Sequence, residues 1–284
     1  MKKSIIYLMF IVFTVVSCSK NNSKIEMSET NNEAPAYCDL MSNLENYNSE
    51  YNIVTKAGGF WRRLGRVALA DCVGYLGGVG FSASPVAGFF FGAFSSIIAV
   101  IIEITNTRSG HLNVDLSKEL LYSPITLDNL EDCDYVGEVH NQIIDEIYSE
   151  NPECFELFTE EMWIAAIREK ISEMYLLDQV VDITPWVNDA HDINDIIMAP
   201  ENSLDDAFDV IKTRMPERIN ELEVVLVYCK SLNTIEDNQG VINYTQGFRE
   251  IVVESNINSD SKQFIQSAIS VAGNSQLLWS ECLE

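Results

Sequence analysis

The segment ADCVGYLGGVGFSASPVAGFFFGAFSSIIAVII, residues 70–102, decides how this chain folds. From Cys72 to Ile102 it has no charged residue over thirty-one positions, and small residues recur in it every four. Ala70, Gly74, Gly78 and Ser82 form one series; Ser84, Gly88, Gly92 and Ser96 form a second. Pro85 separates them, because it has no amide proton and disfavours helix in the residue before it. The pattern predicts two helices of roughly seventeen residues each, folded into a hairpin with facing small-residue stripes. Small side chains at i and i+4 let two helix backbones approach closely. Glycine costs about 1 kcal/mol relative to alanine inside a helix. Nine of the fourteen glycines lie between Gly58 and Gly92, so close packing has to offset them. The large residues Phe89, Phe90, Phe91, Phe94, Ile97, Ile98, Val100, Ile101 and Ile102 fall on the remaining faces.

Upstream, KAGGFWRRLGR (residues 56–66) carries Lys56, Arg62, Arg63 and Arg66, no acid, and an adjacent Phe-Trp pair. Two environments suit this arrangement. In one, the hairpin is the buried centre of a helical domain and its arginines pair with acids elsewhere in the chain. In the other, the hairpin enters a bilayer, and the four bases with the aromatics meet anionic lipid headgroups. Seventeen residues is about the lower limit for spanning.

Charge divides the chain near the same place. Residues 18–102 hold six bases and seven acids, whereas residues 103–284 hold ten bases and thirty-six acids. The whole chain of 284 residues has a net charge of −25, which argues against a nucleic-acid partner. The acidic part reads as helices throughout. Val136, Val139, Ile143, Ile144 and Ile147 follow a 3.6-residue period, which Asn151-Pro152 breaks. Thr159 caps a helix with Met162, Trp163, Ile167 and Ile171 on one face. Ser203 with Asp206 forms a capping box, and Pro216 opens a helix with Ile219, Leu222, Leu226 and Cys229 inward. Phe264, Ile265, Ala268, Ile269, Ala272, Ser275, Leu278 and Trp279 mark the last helix. A short extended stretch near Leu112 to Leu116 fits the pattern as well. The expected fold is all-α: a Gly-rich apolar helical hairpin region, residues 37–104, packed with an acidic multi-helix domain, residues 105–284.

The N-terminus supplies an address. Lys2 and Lys3 precede a twelve-residue apolar run, Ile5 to Val16, which suits a signal peptide over residues 1–17. Val15-Val16-Ser17-Cys18 resembles the lipobox of bacterial lipoproteins, with Val15 where leucine is usual. The resemblance implies cleavage before Cys18 and diacylglycerol on its thiol. Residues 18–36 are polar and read as a flexible tether. Ser19, in place of Asp, argues against inner-membrane retention, and the first acid after Cys18 is Glu26. An outer-membrane position facing the periplasm is therefore expected. Six cysteines remain after Cys18, an even number that permits disulfides without specifying which cysteines pair.

No catalytic, metal or cofactor motif stands out. There is no HExxH, GxSxG, Walker A or GxGxxG after a strand. His140 lies on or beside the apolar stripe of its helix and reads as a core histidine. Asp189, His191, Asp192 and Asp195 are the densest polar cluster, but they lack the spacing of a calcium loop. No cofactor is expected.

WRRLGRVALADCVGYLGG, VGEVHNQIIDEI and FREIVVESNINSDSKQFIQSAISVAGNSQLLW, behind a lipobox, resemble a group of uncharacterised Bacteroidetes-type lipoproteins over about two-thirds of the mature chain. The Gly-rich stretch is also similar to glycine-zipper segments of envelope lipoproteins and small bacteriocins. The resemblance implies a location, with the membrane met through the N-terminal lipid, and no activity. The expected role is non-catalytic binding or scaffolding of an envelope protein partner. The alternatives are a membrane-active protein whose hairpin inserts into a bilayer, and a hydrolase whose site the sequence does not reveal.

Overall fold

The computed structural model describes residues 30–51, 59–82, 85–106, 131–175, 184–199 and 203–282. Among them are eleven α-helices and one 3-10 turn, with no strand. The fold is all-α, with the apolar hairpin packed inside an acidic bundle. The signal peptide, Cys18, Lys56, Ser84 and the extended stretch near Leu112 all lie outside the described residues.

The hairpin is α2 (Gly59–Ser82) and α3 (Pro85–Asn106), each longer than the small-residue pattern alone predicts. The extra length has a physical cause at the open end. There Leu64, Val67 and Ala68 are buried, and Arg63 Nε lies 3.9 Å from Glu103 Oε2 on the opposite arm. The break falls at Pro85, the first residue of α3, where a missing amide proton costs nothing.

Eight helices follow: α4 (Glu131–Glu150), α5 (Cys154–Leu157), α6 (Glu160–Tyr175), α7 (Thr184–Met198), α8 (Leu204–Arg214), α9 (Ile219–Leu232), α10 (Asn238–Glu254) and α11 (Ser259–Cys282). They enclose the hairpin. Helix α11 runs along α2 and also touches α4, α9 and α10; α7 meets both arms; α4 and α6 cover α3; α8 and α9 reach α2. Val86–Glu103 has a mean hydropathy of 2.1, and 83% of it is buried inside the body. It is the centre of the core.

Local signals set the helix ends. Ser203 and Asp206 make the capping box, Asp206 N donating to Ser203 Oγ at 3.3 Å and Ser203 N to Asp206 Oδ2 at 2.7 Å. Met162 N donates to Thr159 Oγ1 at 3.4 Å. Pro216 heads the 3-10 turn Pro216–Arg218, and α9 starts only at Ile219. Ile219 and Met162, expected inward, are exposed at 44% each. Both lie in the first turn of a helix, before it meets its neighbours.

A further helix, α1 (Thr30–Glu50), starts within the segment 18–36 that reads as a tether. It buries Tyr37, Leu40 and Leu44 and packs against α10 and α9. Tyr47 stacks on Tyr244 with ring centroids 5.5 Å apart, and Tyr244 Oη donates to Asn48 Oδ1 at 2.8 Å.

Candidate functional site

The most concentrated chemistry lies inside the bundle, where α2, α3, α4 and α11 meet. Asp71 is the acid on α2 that directly precedes the charge-free run, and it is fully buried. Ser275 Oγ donates a very short hydrogen bond to Asp71 Oδ2, and Ser96 Oγ donates to the same oxygen at 2.9 Å. Trp279 Nε1 donates to Ser96 Oγ at 2.9 Å. His140 Nε2 stands 3.7 Å from Asp71 Oδ2, and its Nδ1 pairs with Asn141 Oδ1 at 3.0 Å. Asn141 Nδ2 then donates to the Asn274 carbonyl at 2.9 Å.

Burial sets the protonation of this group. Loss of solvation pushes the Asp71 carboxyl up to about 8, against the hydrogen bonds from Ser275, Ser96 and Trp279 that pull it down. Burial lowers His140 below its ordinary value, and its bond to Asn141 opposes this only in part. At neutral pH a protonated carboxyl beside an uncharged imidazole avoids placing an isolated charge in the core.

An acid, an imidazole and two hydroxyls lie together, yet the order of bonds is wrong for a nucleophile. In a serine hydrolase the hydroxyl is hydrogen-bonded to the imidazole and the acid orients the far side of the ring. Here both hydroxyls donate to the acid, and an amide occupies Nδ1. Asp71, Ser96, His140 and Ser275 each have 0% exposure, so substrate has no route to them. The cluster ties four helices into one register.

A second buried constellation braces the other flank. Arg249 Nη2 lies 2.6 Å from Asp134 Oδ1, Arg249 Nε donates to Gln266 Oε1 at 2.7 Å, and Gln266 Nε2 donates back to the Arg249 carbonyl at 2.8 Å. These groups join α4, α10 and α11. Nearby, Gly137 of α4 comes so close to α11 that a Cβ there would sit 2.6 Å from the Ser270 carbonyl oxygen.

No known family model matches this chain, and neither a curated protein nor a solved structure is similar to it.

Residues singled out in the sequence fall as follows. Ala70, Gly74 and Gly78 are buried on α2. A Cβ on Gly74 would lie 2.5 Å from the Phe91 carbonyl oxygen, and one on Gly78 would lie 2.7 Å from Gly88 N, so this stripe faces the α3 backbone. The α3 series behaves differently. Gly88 meets the side chains of Val79 and Tyr75, whereas a Cβ on Gly92 would meet His140 of α4 at 3.0 Å. Ser96 belongs to the Asp71 cluster. The second stripe therefore keeps to α2 along its length, through Asp71 at Gly92 and Ser96, and further on also meets α4 and α11. Ser82 ends α2. Arg62 lies in the first turn of α2; Arg63 is paired with Glu103, and Arg66 Nη1 donates to the Met198 carbonyl at 3.4 Å. Burial raises the Glu103 carboxyl while Arg63 and Arg66 draw it down. His191 Nε2 is 2.9 Å from Glu160 Oε2, which commits that imidazole to α6. Among the described residues no group of three or more His, Cys, Asp or Glu side chains is arranged to hold a metal ion.

Asp71, Asn141, Asn274 and the Arg249–Asp134 pair were not evident from the sequence. The one acid of α2, directly before the charge-free run, is the one signal that could have found Asp71. Nothing in a linear pattern links Arg249 to Asp134.

Proposed function

We propose that this chain is a lipid-anchored protein of the bacterial envelope, of the Bacteroidetes-type lipoprotein group it resembles. It is attached through Cys18 to the outer membrane on the periplasmic side. Its acidic helical body binds or scaffolds another envelope protein and performs no catalysis. The observation that carries this reading is the enclosure of the hairpin: 83% of the one span among the described residues that is apolar enough to cross a membrane is buried inside the body. Arg63 and Arg66, expected at lipid headgroups in the inserting alternative, are engaged with Glu103 and the Met198 carbonyl. The enclosed Asp71 cluster supports a non-catalytic role, because its hydroxyls address the acid.

The test has two arms. A fatty-acid probe fed to cells labels the wild-type protein and leaves Cys18→Ala unlabelled; label on Cys18→Ala refutes the anchor. Purified body added to dye-loaded vesicles releases no dye. Release at low protein-to-lipid ratio, abolished by Gly78→Leu, would replace scaffolding with the membrane-active alternative.

A further inference from the structure

Four large apolar side chains stand exposed among the described residues: Leu157, Met162, Ile219 and Val253. Ile219 and Val253 each have a base at hand. Arg218 directly precedes Ile219, and Lys262 Nζ donates to the Val253 carbonyl at 2.7 Å. Leu157 and Met162 are placed differently. They lie five residues apart, at the end of α5 and in the first turn of α6, and Leu157 is the most exposed of the four at 62%. From Glu119 to Ile167 the sequence holds thirteen acids and no Lys or Arg. At this corner Glu150 is paired with Lys170 and Glu160 with His191. Glu153, Glu156 and Glu161 are exposed and have no cationic partner among the described residues.

The corner has a packed base. The rings of Phe155 and Phe158 each lie 5.1 Å from that of Trp163, and Phe155 is 6.2 Å from Trp279 of α11. Trp163 is buried, and its indole N–H finds no acceptor among the described residues.

We infer that the α5–α6 corner is a docking surface for a cationic amphipathic segment of a protein partner. Such a segment presents apolar side chains to Leu157 and Met162, and Lys or Arg to Glu153, Glu156 and Glu161. The inference rests on the scaffolding reading above and gives it a face and a partner chemistry. Exposed apolar residues that adjoin within a polar rim mark interaction sites, and such anchors contribute most where the rim excludes water. Charge selects the occupant. Three carboxylates without cations repel anionic lipid headgroups, and a second copy of the chain would set the same acids against themselves. A segment with bases flanking its apolar residues suits both parts of the surface, and the acidic field speeds its encounter.

The test titrates the full chain, by calorimetry, with a short helical peptide that carries Leu on one face and Lys on the other. A scrambled isomer of the same composition, with no apolar face, is the reference. The amphipathic peptide should bind wild type about tenfold more tightly than the isomer does. Leu157→Ser with Met162→Ser, and separately Glu153→Gln with Glu156→Gln, should each weaken that binding about tenfold. Val253→Ser, at an exposed apolar residue elsewhere, should leave it unchanged. Equal affinity for the two peptides overturns the surface, because net charge alone would then explain the binding. A loss in Val253→Ser as large as in the corner variants does the same, and so does wild-type affinity in both corner variants. A wild-type dimer in sedimentation that Leu157→Ser dissociates overturns it in favour of a second copy. Binding to zwitterionic vesicles that Leu157→Ser abolishes overturns it in favour of a membrane. Dye release separates this surface from the reading beneath it. Lost peptide selectivity without release removes the surface and leaves scaffolding standing, whereas release that depends on Gly78 removes both.

Discussion

Replacing Gly78 by alanine adds one methyl group where α2 crosses α3. The Cβ would point at the α3 backbone, 2.6 Å from the Ala87 carbonyl carbon and 2.7 Å from Gly88 N, where ordinary contact begins at 3.4 Å. Backbone cannot rotate aside as a side chain can, so the two helices must part by nearly an ångström. A gap of about 0.5–1 Å forfeits a quarter to a half of each dispersion contact across it. Overpacking of this kind costs about 1–3 kcal/mol, and alanine returns about 1 kcal/mol of helix propensity. The strain falls at the centre of the core and against backbone, which puts the cost at about 2–3 kcal/mol and the net loss at about 1–2 kcal/mol. For a chain of this size that lowers the melting temperature by about 2–8 °C. Gly80→Ala, two residues along, is the control. A Cβ there meets the Met215 side chain, whose Cε would lie at 2.7 Å and which can swing aside. Circular dichroism melts of the two variants should therefore separate, with Gly80→Ala equal to or above wild type. A Gly78→Ala protein as stable as Gly80→Ala would refute the close crossing, and with it the account of the small-residue stripe.

Two other expectations concern the buried charges. Asp71 holds its proton up to about pH 8 in the fold, while an unfolded aspartate releases it near 4, so its contribution to stability falls as pH rises between those values. His140, lowered by burial, acts in the opposite sense and weakens the fold as pH drops below its ordinary value near 6.5. Between pH 6.5 and 8 the wild type should therefore lose up to about 2 kcal/mol relative to Asp71→Asn, which keeps an acceptor for Ser96 and Ser275; a stability difference that does not change with pH counts against this protonation state. Arg249→Leu removes the ion-pair partner of the buried Asp134 carboxylate and should cost about 3–5 kcal/mol in urea titration, with much of it restored by adding Asp134→Leu. An Arg249→Leu protein that unfolds at the wild-type urea midpoint would show that the pair contributes nothing.

Sequence alone determined whatever depends on neighbours a few residues apart. The hairpin and its break at Pro85, the capping box at Ser203, the cap at Thr159 and the helical period from Val136 are local. Each follows from backbone sterics or from a side chain reaching its own helix end. The charge-free run also marked the hairpin as something that must leave water. It did not say where to, because a protein core and a bilayer reward the same apolar surface. Only tertiary structure decided that, by laying α4, α6, α7, α8, α9 and α11 over the two arms. The same holds for the face each glycine presents. Gly74 and Gly92 read alike in sequence, but a Cβ on Gly74 would press on the α3 backbone, whereas one on Gly92 would meet His140 of α4 first and the α2 backbone only at ordinary contact distance. Nothing in the linear pattern marks polar residues such as Asn274, Gln266 and Arg249 as interior, yet they are fully buried. What makes that burial tolerable for Arg249 and Gln266 is a set of partners on other helices: Arg249 meets Gln266 and, more than a hundred residues away, Asp134. Such pairings exist only once the chain has closed on itself.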